Sequence, residues 1–411
     1  MSSWCIAECR ALTHQPGHHY FGYYDKCPYD ESGRYVLALE TDFMERPPSA
    51  DDVARIGFID LQGDGEFQPV GETRAFNWQQ GTHLQWLPGG NGRRIIYNVR
   101  EGDRYAACIH DLDSGDRRLL PLPIYAVSHD GTQAVTLNFS RLHDCRPGYG
   151  YNGIPDPFAS ELRPAGDGIY RMDLATGDYE LIVTVAQIAA LEPTSNMGQA
   201  KHRFNHLQFS TDDSRFVFLH RWQHRDMSAL GLARGVKRLL KGGAISAALR
   251  AQSTRMFTAR PDGSDVYMLN PDDMTSHFDW LDDRRLLAWA RQRGVGNRYF
   301  LFTDQSREVE VVGEGLLDCD GHCTYSPDRR FLLTDTYPRG ARHLRTIILY
   351  NLQTGERVDV GGFYSPPGLQ GEIRCDLHPR WSRDGTKICF DSMHEGHRQL
   401  YEIEVGDIVS G

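Results

Sequence analysis

The chain lacks most of the signals by which common enzyme folds declare themselves. No apolar run approaches the roughly 18 residues of a membrane span, so no spanning helix is expected. There is no Gly-x-Ser-x-Gly phrase, which removes the nucleophile elbow of an α/β-hydrolase. The strand–helix–strand spacing of a Rossmann or P-loop nucleotide site is missing. Positive charge is short: 45 Lys and Arg stand against 55 Asp and Glu, a net −10, whereas a nucleic-acid partner usually leaves a basic footprint. The nine cysteines are odd in number and contain no Cys-x-x-Cys pair, which argues against a disulfide framework. The first residues carry neither a basic n-region nor an apolar h-region. Together these absences lead us to expect a cytoplasmic location with reduced thiols.

What is present is repetition. Five phrases read His-x-x-aromatic: His83 to Trp86, His206 to Phe209, His277 to Trp280, His322 to Tyr325 and His378 to Trp381. Each is followed by a polar turn and then a short apolar run, such as Ile95-Ile96-Tyr97 or Phe331-Leu332-Leu333. Two further copies lack the histidine and begin at Tyr23 and Ile124. After each apolar run comes an alternating strand, such as Ile56 to Asp60, Asp265 to Leu269 or Ile347 to Asn351, and often a fourth short strand. Repeat spacing of this size means a solenoid, an array or a propeller. Four strands in each of seven units predict an all-β fold, a seven-bladed β-propeller.

We expect residues 1–411 to form a single domain of this kind. The last unit runs out of chain after Val405, so the ring is expected to be closed by the N-terminal strand Trp4 to Cys9, which also removes open sheet edges. Two stretches interrupt the repeat. Residues 138–166 read as a Gly-, Pro- and Tyr-rich loop insertion. Residues 227–256 read as a basic, short helical insertion, with a homodimer contact or an anionic-polymer contact as its possible use.

If equivalent positions of a propeller face one axis, the five imidazoles converge at one mouth of the channel. A histidine beside an aromatic is more often a hydrogen-bonded packing residue than a ligand. Five in register are harder to explain that way, because packing alone has no preference for imidazole. The densest phrase runs from Gly371 to Trp381 and holds Glu372, Arg374, Cys375, Asp376, His378 and Arg380. The neighbouring unit carries Asp318, Asp320 and His322. Imidazole with carboxylate suits Mn²⁺, Fe²⁺ or Zn²⁺, and a thiolate would favour Zn²⁺. His322 and His378 are the expected metal pair, and Asp376 or Cys375 the third ligand, with Glu372 a weaker candidate. Strand alternation puts Asp376 and His378 on one face and Cys375 on the other. The basic cluster from His220 to Arg225 suits a carboxylate substrate through bidentate pairing by Arg221. His206 joins Arg221 as a catalytic candidate, and Arg374, Arg380, His83 and Tyr23 are expected substrate contacts.

The repeat, with its His-x-x-aromatic-Ser-x-Asp-Gly pattern, and the phrase Asp376-Leu-His378-Pro resemble those of oligogalacturonate lyases and, more distantly, of ulvan-lyase propellers. The blade repeat alone is shared with TolB-like propellers, which are not enzymes. The resemblance implies a polysaccharide lyase that cleaves uronic-acid-containing glycans by β-elimination, with a divalent metal, Mn²⁺ or alternatively Zn²⁺, as cofactor. It matches His322 to the family's first metal histidine and His378 to the second histidine of a His-x-His-Pro pair. Asp376 stands where the family has its other histidine, and the family's glutamine ligand has no counterpart. It matches His277 to the catalytic histidine and Arg221 to an assisting arginine. The partner so implied is an acidic oligosaccharide or polysaccharide. The alternative is a non-catalytic propeller that binds an acidic glycan or a protein partner, for instance in polysaccharide assembly, because fold does not fix function.

Overall fold

The computed structural model describes residues 2–4, 8–89, 93–224 and 252–410. Seven sheets follow one another along the chain; five pair consecutive strands throughout, and the other two each add one strand from the N-terminal segment. Blade 1 starts with His18–Tyr20, blade 2 with Gln85–Trp86, blade 3 with Ala126–Val127 and blade 4 with Ala200–Phe209. Blade 5 starts with Thr275–Trp280, blade 6 with Thr324–Tyr325 and blade 7 with Arg380–Trp381. The protein is therefore an all-β, seven-bladed propeller. Among the described residues no helix is long and apolar enough to cross a membrane. The cysteines outside the undescribed Cys5 are all free.

The polar turn after each first strand explains why the blades recur. In blade 7 the Ser382 hydroxyl donates to Asp384 at 2.6 Å, and Ser326 does the same to Asp328 at 2.7 Å in blade 6. Ser128 to Asp130 and Ser210 to Asp212 repeat the contact in blades 3 and 4. The next residue is left-handed in every case: Gly131 and Gly385, but also Asp213 (φ 60°) and Arg329 (φ 61°). Glycine suits that position because it has no Cβ to clash there.

The apolar runs pack blade against blade. Val217 and Leu219 of blade 4 meet Phe278 and Trp280 of blade 5. Leu287 and Trp289 of blade 5 meet Tyr325 and Leu332 of blade 6.

Three expectations need correction. The strand that completes blade 7 is Cys9–Ala11, antiparallel to Gln399–Glu404, and not Trp4 to Cys9. The residues before it take another route: Ser2–Trp4 pairs in parallel with Arg357–Asp359, as a fifth strand on blade 6. The N-terminal segment thus straps two blades, covering an edge that would otherwise be open. In blade 4 the third strand is Ser253–Ala259, and the stretch expected as third, Asp265 to Leu269, falls on the fourth, Tyr267–Asn270. The interruption before Ser253 hid that strand from the periodicity. Finally, the 138–166 insertion is not all loop: Phe139–Cys145 is a helix whose N-cap, Asn138, accepts from Arg141 N–H at 3.0 Å. Its buried Arg141 pairs with Asp156 at 3.1 Å and so pins the insertion to itself. Of the 227–256 insertion, residues 227–251, and with them the expected helices and dimer contact, lie outside the described residues.

Candidate active site

His83, His322 and His378 sit just before the start of a first strand, and His206 and His277 lie within one, beside irregular pairing. His83, His206 and His378 adopt positive φ (53°, 51° and 43°). Strand pairing slips around His206 and around His277. Kinks and bulges of this kind re-aim a side chain at a site.

Four of the five imidazoles gather around one tyrosine. The Tyr23 ring lies 5.2 Å from His206, stacked, and 5.1 Å from His378. His322 and His277 follow at 6.1 and 6.4 Å. His322 touches its neighbours on both sides, with ring centroids 4.2 Å from His277 and 4.3 Å from His378. His83 meets no other imidazole; it packs on Tyr125 at 4.4 Å and on Phe139 at 5.4 Å. All five histidines and Tyr23 are buried.

The imidazoles of blades 5 and 6 are held by carboxylates. His277 Nδ1 lies 2.8 Å from Asp320 Oδ1. A carboxylate only accepts, so Nδ1 carries the hydrogen and Nε2 is left as the basic nitrogen. Burial holds His277 below the ordinary histidine value, against the pull of Asp320. His322 Nδ1 lies 2.9 Å from both oxygens of Asp335, which also accepts from the His322 backbone N–H at 2.8 Å. Burial would lower His322, but Asp335, with Asp376 and Tyr149 adding to it, leaves the histidine raised.

His322, Asp376 and His378 each offer one ligand atom, and these atoms lie within 4.8 Å of one another. His322 Nε2 and His378 Nε2 are buried and have no hydrogen-bond partner among the described residues. An orphaned buried nitrogen is costly, and a cation between the two would satisfy both. The Asp335–His322 contact is the arrangement in which a carboxylate fixes the tautomer and orientation of a metal-binding imidazole. The residues therefore fit a divalent ion bound by two imidazoles and a carboxylate. Cys375 is not in the group. Residues 374–379 form no strand, so the expected alternation does not apply there; burial pushes the Cys375 thiol up, so no thiolate is on offer.

Asp376 is also the focus of two arginines. Arg345 Nη1 lies 2.8 Å from its Oδ1, and Arg374 Nε donates to its Oδ2 at 2.6 Å. Burial alone would raise this carboxyl; Arg374 and Arg345 hold it far below the usual carboxylate range. Arg374 also donates to the Tyr149 hydroxyl at 2.8 Å. Burial opposes a phenolate there, but Arg374 and Arg146 bring Tyr149 down to about 8. Tyr149 stands edge-on to His206 at 5.8 Å, so the insertion after blade 3's second strand reaches the imidazoles.

The remaining sequence candidates divide. Arg221 is buried, its Nη2 donating to Thr275 O at 3.3 Å while Nε has no hydrogen-bond partner among the described residues. His206 Nδ1 is 3.3 Å from the Tyr125 hydroxyl, and burial, then Arg221, keep it well below the usual histidine value. Arg380, expected as a substrate contact, is committed elsewhere. It pairs with Asp391 at 2.9 Å and donates to Gly22 O and Tyr23 O, so it ties blade 7 to the Tyr23 turn.

Sequence reasoning missed Asp335, Arg345 and Tyr149. One signal was available for Asp335. It stands two residues after Leu333, which pairs with Thr324. Asp391 stands two after Cys389, which pairs with Arg380, and Asn98 two after Ile96, which pairs with Gln85. A polar residue at one fixed register of the second strand thus marks blades 2, 6 and 7. Asn98 and Asp391 bind backbone there, and Asp335 binds an imidazole.

No family model and no curated protein matches this sequence. Solved structures do. One is an oligogalacturonate lyase in complex with manganese, with TM-score 0.65 and 16% identity, covering 98% of this chain and 95% of that one. Another is an oligogalacturonate lyase from Vibrio parahaemolyticus, with TM-score 0.65 and 13% identity, covering 97% of this chain and 94% of that one. Over nearly its whole length, then, this chain is similar in fold to the oligogalacturonate lyase propellers.

Proposed function

We propose that this protein is a metal-assisted lyase that cleaves uronic-acid-containing oligosaccharides by β-elimination. One observation carries the reading: two orphaned imidazole nitrogens and a carboxylate converge beside a third imidazole whose own orientation is held by Asp320.

His322, His378 and Asp376 would hold the divalent ion, Mn²⁺ being the first choice for an imidazole and carboxylate set without thiolate. Bound there, the ion supplies a Lewis acid toward the substrate carboxylate, which makes the hydrogen on the adjacent C5 more acidic. The chain's own groups do the rest. Arg221 offers a guanidinium with an unpartnered Nε to the same acid group. His277, kept neutral by burial, takes the C5 proton on Nε2 while Asp320 holds Nδ1. The C5–H electron pair becomes the C4=C5 double bond, and O4 leaves with the departing sugar and takes up a proton from water.

The reading is tested by incubating the protein with oligogalacturonates and other uronate oligosaccharides, with Mn²⁺ and with a chelator. The unsaturated product is followed by its ultraviolet absorbance. Growth that the chelator abolishes is the expected result. No growth on any acidic glycan in the presence of Mn²⁺ would overturn it. That outcome would favour a non-catalytic acidic-glycan-binding propeller, for which the pairing of both Asp376 oxygens with arginines speaks.

A further inference from the structure

His206 and His277 stand on neighbouring blades and both border Tyr23, yet their ring nitrogens meet opposite partners. His277 Nδ1 faces the Asp320 carboxylate, so the hydrogen sits on Nδ1 and Nε2 is bare. His206 Nδ1 faces hydrogen-bond donors. Gln80 Nε2 lies 3.5 Å from it and the Tyr125 hydroxyl 3.3 Å. The surrounding bonds fix both groups. The His206 backbone N–H donates to Asn205 Oδ1 at 2.9 Å, so that amide presents its oxygen. Tyr125 lies 3.1 Å from the same oxygen and has one hydrogen, which goes either there or to His206 Nδ1. In the second case Nδ1 accepts directly. In the first, the Tyr125 oxygen already receives Gln80 Nε2 at 2.7 Å and the His206 backbone N–H at 3.1 Å, which fills its lone pairs. It has no room for a hydrogen on Nδ1, and the second Gln80 hydrogen is the one that meets that nitrogen. Either way Nδ1 is bare and the hydrogen sits on Nε2.

Gln80, Tyr125 and Asn205 are all buried, so no solvent competes for these bonds. Burial, then Arg221 and His277, hold His206 well below the ordinary histidine value, which keeps the ring neutral. The two imidazoles are therefore opposite neutral tautomers: His277 offers a lone pair and His206 an N–H. Nε2 lies on the flank of the ring away from Gln80 and Tyr125. The side chains that act most strongly on the ring, Arg221 and His277, are the ones the proposed reaction sets around the uronate. As the C5 proton leaves, negative charge spreads onto the carboxyl oxygens. A fixed N–H at those oxygens gains strength as the charge grows, whereas a lone pair would repel it. A neutral imidazole used as an electrophile beside a separate base is an established division of labour in proton abstraction next to a carbonyl.

We propose that His206 is a catalytic hydrogen-bond donor whose Nε2–H touches the uronate carboxylate and stabilises the charge that builds there while His277 removes the C5 proton. The hydrogen stays on Nε2 throughout, so His206 forms no covalent bond and transfers no proton. The catalytic role rests on the lyase reading; the tautomer and the contact with an acidic sugar do not.

Histidine-selective ¹⁵N labelling of the full chain and long-range ¹H–¹⁵N NMR at neutral pH read the tautomers directly. The signals of the two residues are those lost in His206→Asn and His277→Gln. We expect hydrogen on Nε2 of His206 and on Nδ1 of His277. Hydrogen on Nδ1 of His206, or on both its nitrogens, overturns the proposal. Titration with galacturonate in the presence of Zn²⁺, which is diamagnetic, should shift the His206 Nε2 signal saturably. A signal that galacturonate leaves in place removes the contact. In turnover of oligogalacturonate with Mn²⁺, His206→Leu should lower kcat by about 10²–10³-fold, the usual loss for one such donor, while KM changes by less than about threefold. His206→Asn, which keeps a side-chain N–H, should recover part of the loss. An unchanged kcat in His206→Leu overturns the catalytic role, and the parent's spectrum still decides the tautomer if that variant fails to fold. A shifted Nε2 signal in a parent protein without lyase activity would sink the proposed reaction and leave His206 standing as a carboxylate contact.

Discussion

The same four-residue phrase builds two different environments. In blades 5 and 6 the histidine is gripped by a carboxylate: Asp320 on His277 and Asp335 on His322. In blades 2 and 4 it is not. His83 lies on Tyr125 and Phe139 with both ring nitrogens unpartnered, and His206 meets Tyr125 and Gln80. The phrase delivers an imidazole to the hub. What that imidazole can do depends on residues the phrase does not contain. An imidazole whose Nδ1 is fixed by a carboxylate presents Nε2 as a base or ligand. One bedded on aromatic rings alone, as His83 is, is kept neutral and serves as packing.

The largest effect that would sharpen this division is expected from His322→Ala and His378→Ala. Each should lose Mn²⁺ binding in equilibrium titration and lyase activity with it. An active variant with full metal affinity would break the assignment. Next comes His277→Gln. It should keep the metal while kcat falls by about 10²–10⁴-fold, the usual contribution of a general base; normal turnover would remove His277 from that role. Asp335→Asn should weaken metal affinity by about 10–100-fold, as loss of a carboxylate behind a ligating histidine does, with His322 still present. Metal affinity equal to the parent's would mean that Asp335 serves the fold alone.

The smallest effect belongs to the other half. His83→Leu should leave turnover and metal affinity unchanged, and loss of either would erase the contrast between the halves. It should also alter the pH dependence of stability. Burial, then Lys26, hold His83 well below its ordinary value of about 6.5. The unfolded chain therefore binds the proton more readily, and stability present above 6.5 is lost as pH falls below it. Denaturant titrations across that range should show a shallower loss in His83→Leu than in the parent. An identical slope would mean that the buried imidazole contributes nothing to acid sensitivity.

Much of the architecture was legible because it depends on local chemistry. Ser-x-Asp turns, left-handed residues after them and two-residue alternation all act within a few positions. Seven copies therefore predicted seven blades. Reading failed where the chain departs from local rules. The Ser253–Ala259 strand follows an interruption that breaks the period. Cys9–Ala11 and Ser2–Trp4 choose different blades, a choice made by sheet edges hundreds of residues away. Within the candidate site, His322, Asp376 and His378 were readable as metal-ligating types, and the structure brings their ligand atoms together. Arg380 reads as a ligand contact by its neighbours, yet Asp391 claims it. Asp335 was marked only by a polar residue recurring at one register of the second strand, and Arg345 and Tyr149 come from a third strand and an insertion that the repeat does not mark.

From its sequence alone the chain determined the number of blades, the residue type carried to the hub by five of them, and the weakness of its positive charge. Only the tertiary structure decided which imidazoles gain a carboxylate and which carboxylate is claimed by arginines. The physical reason is range. Turn chemistry and alternation act over a few residues, whereas burial and Coulomb interactions are set by whichever groups the closed ring brings within a few ångströms of one another.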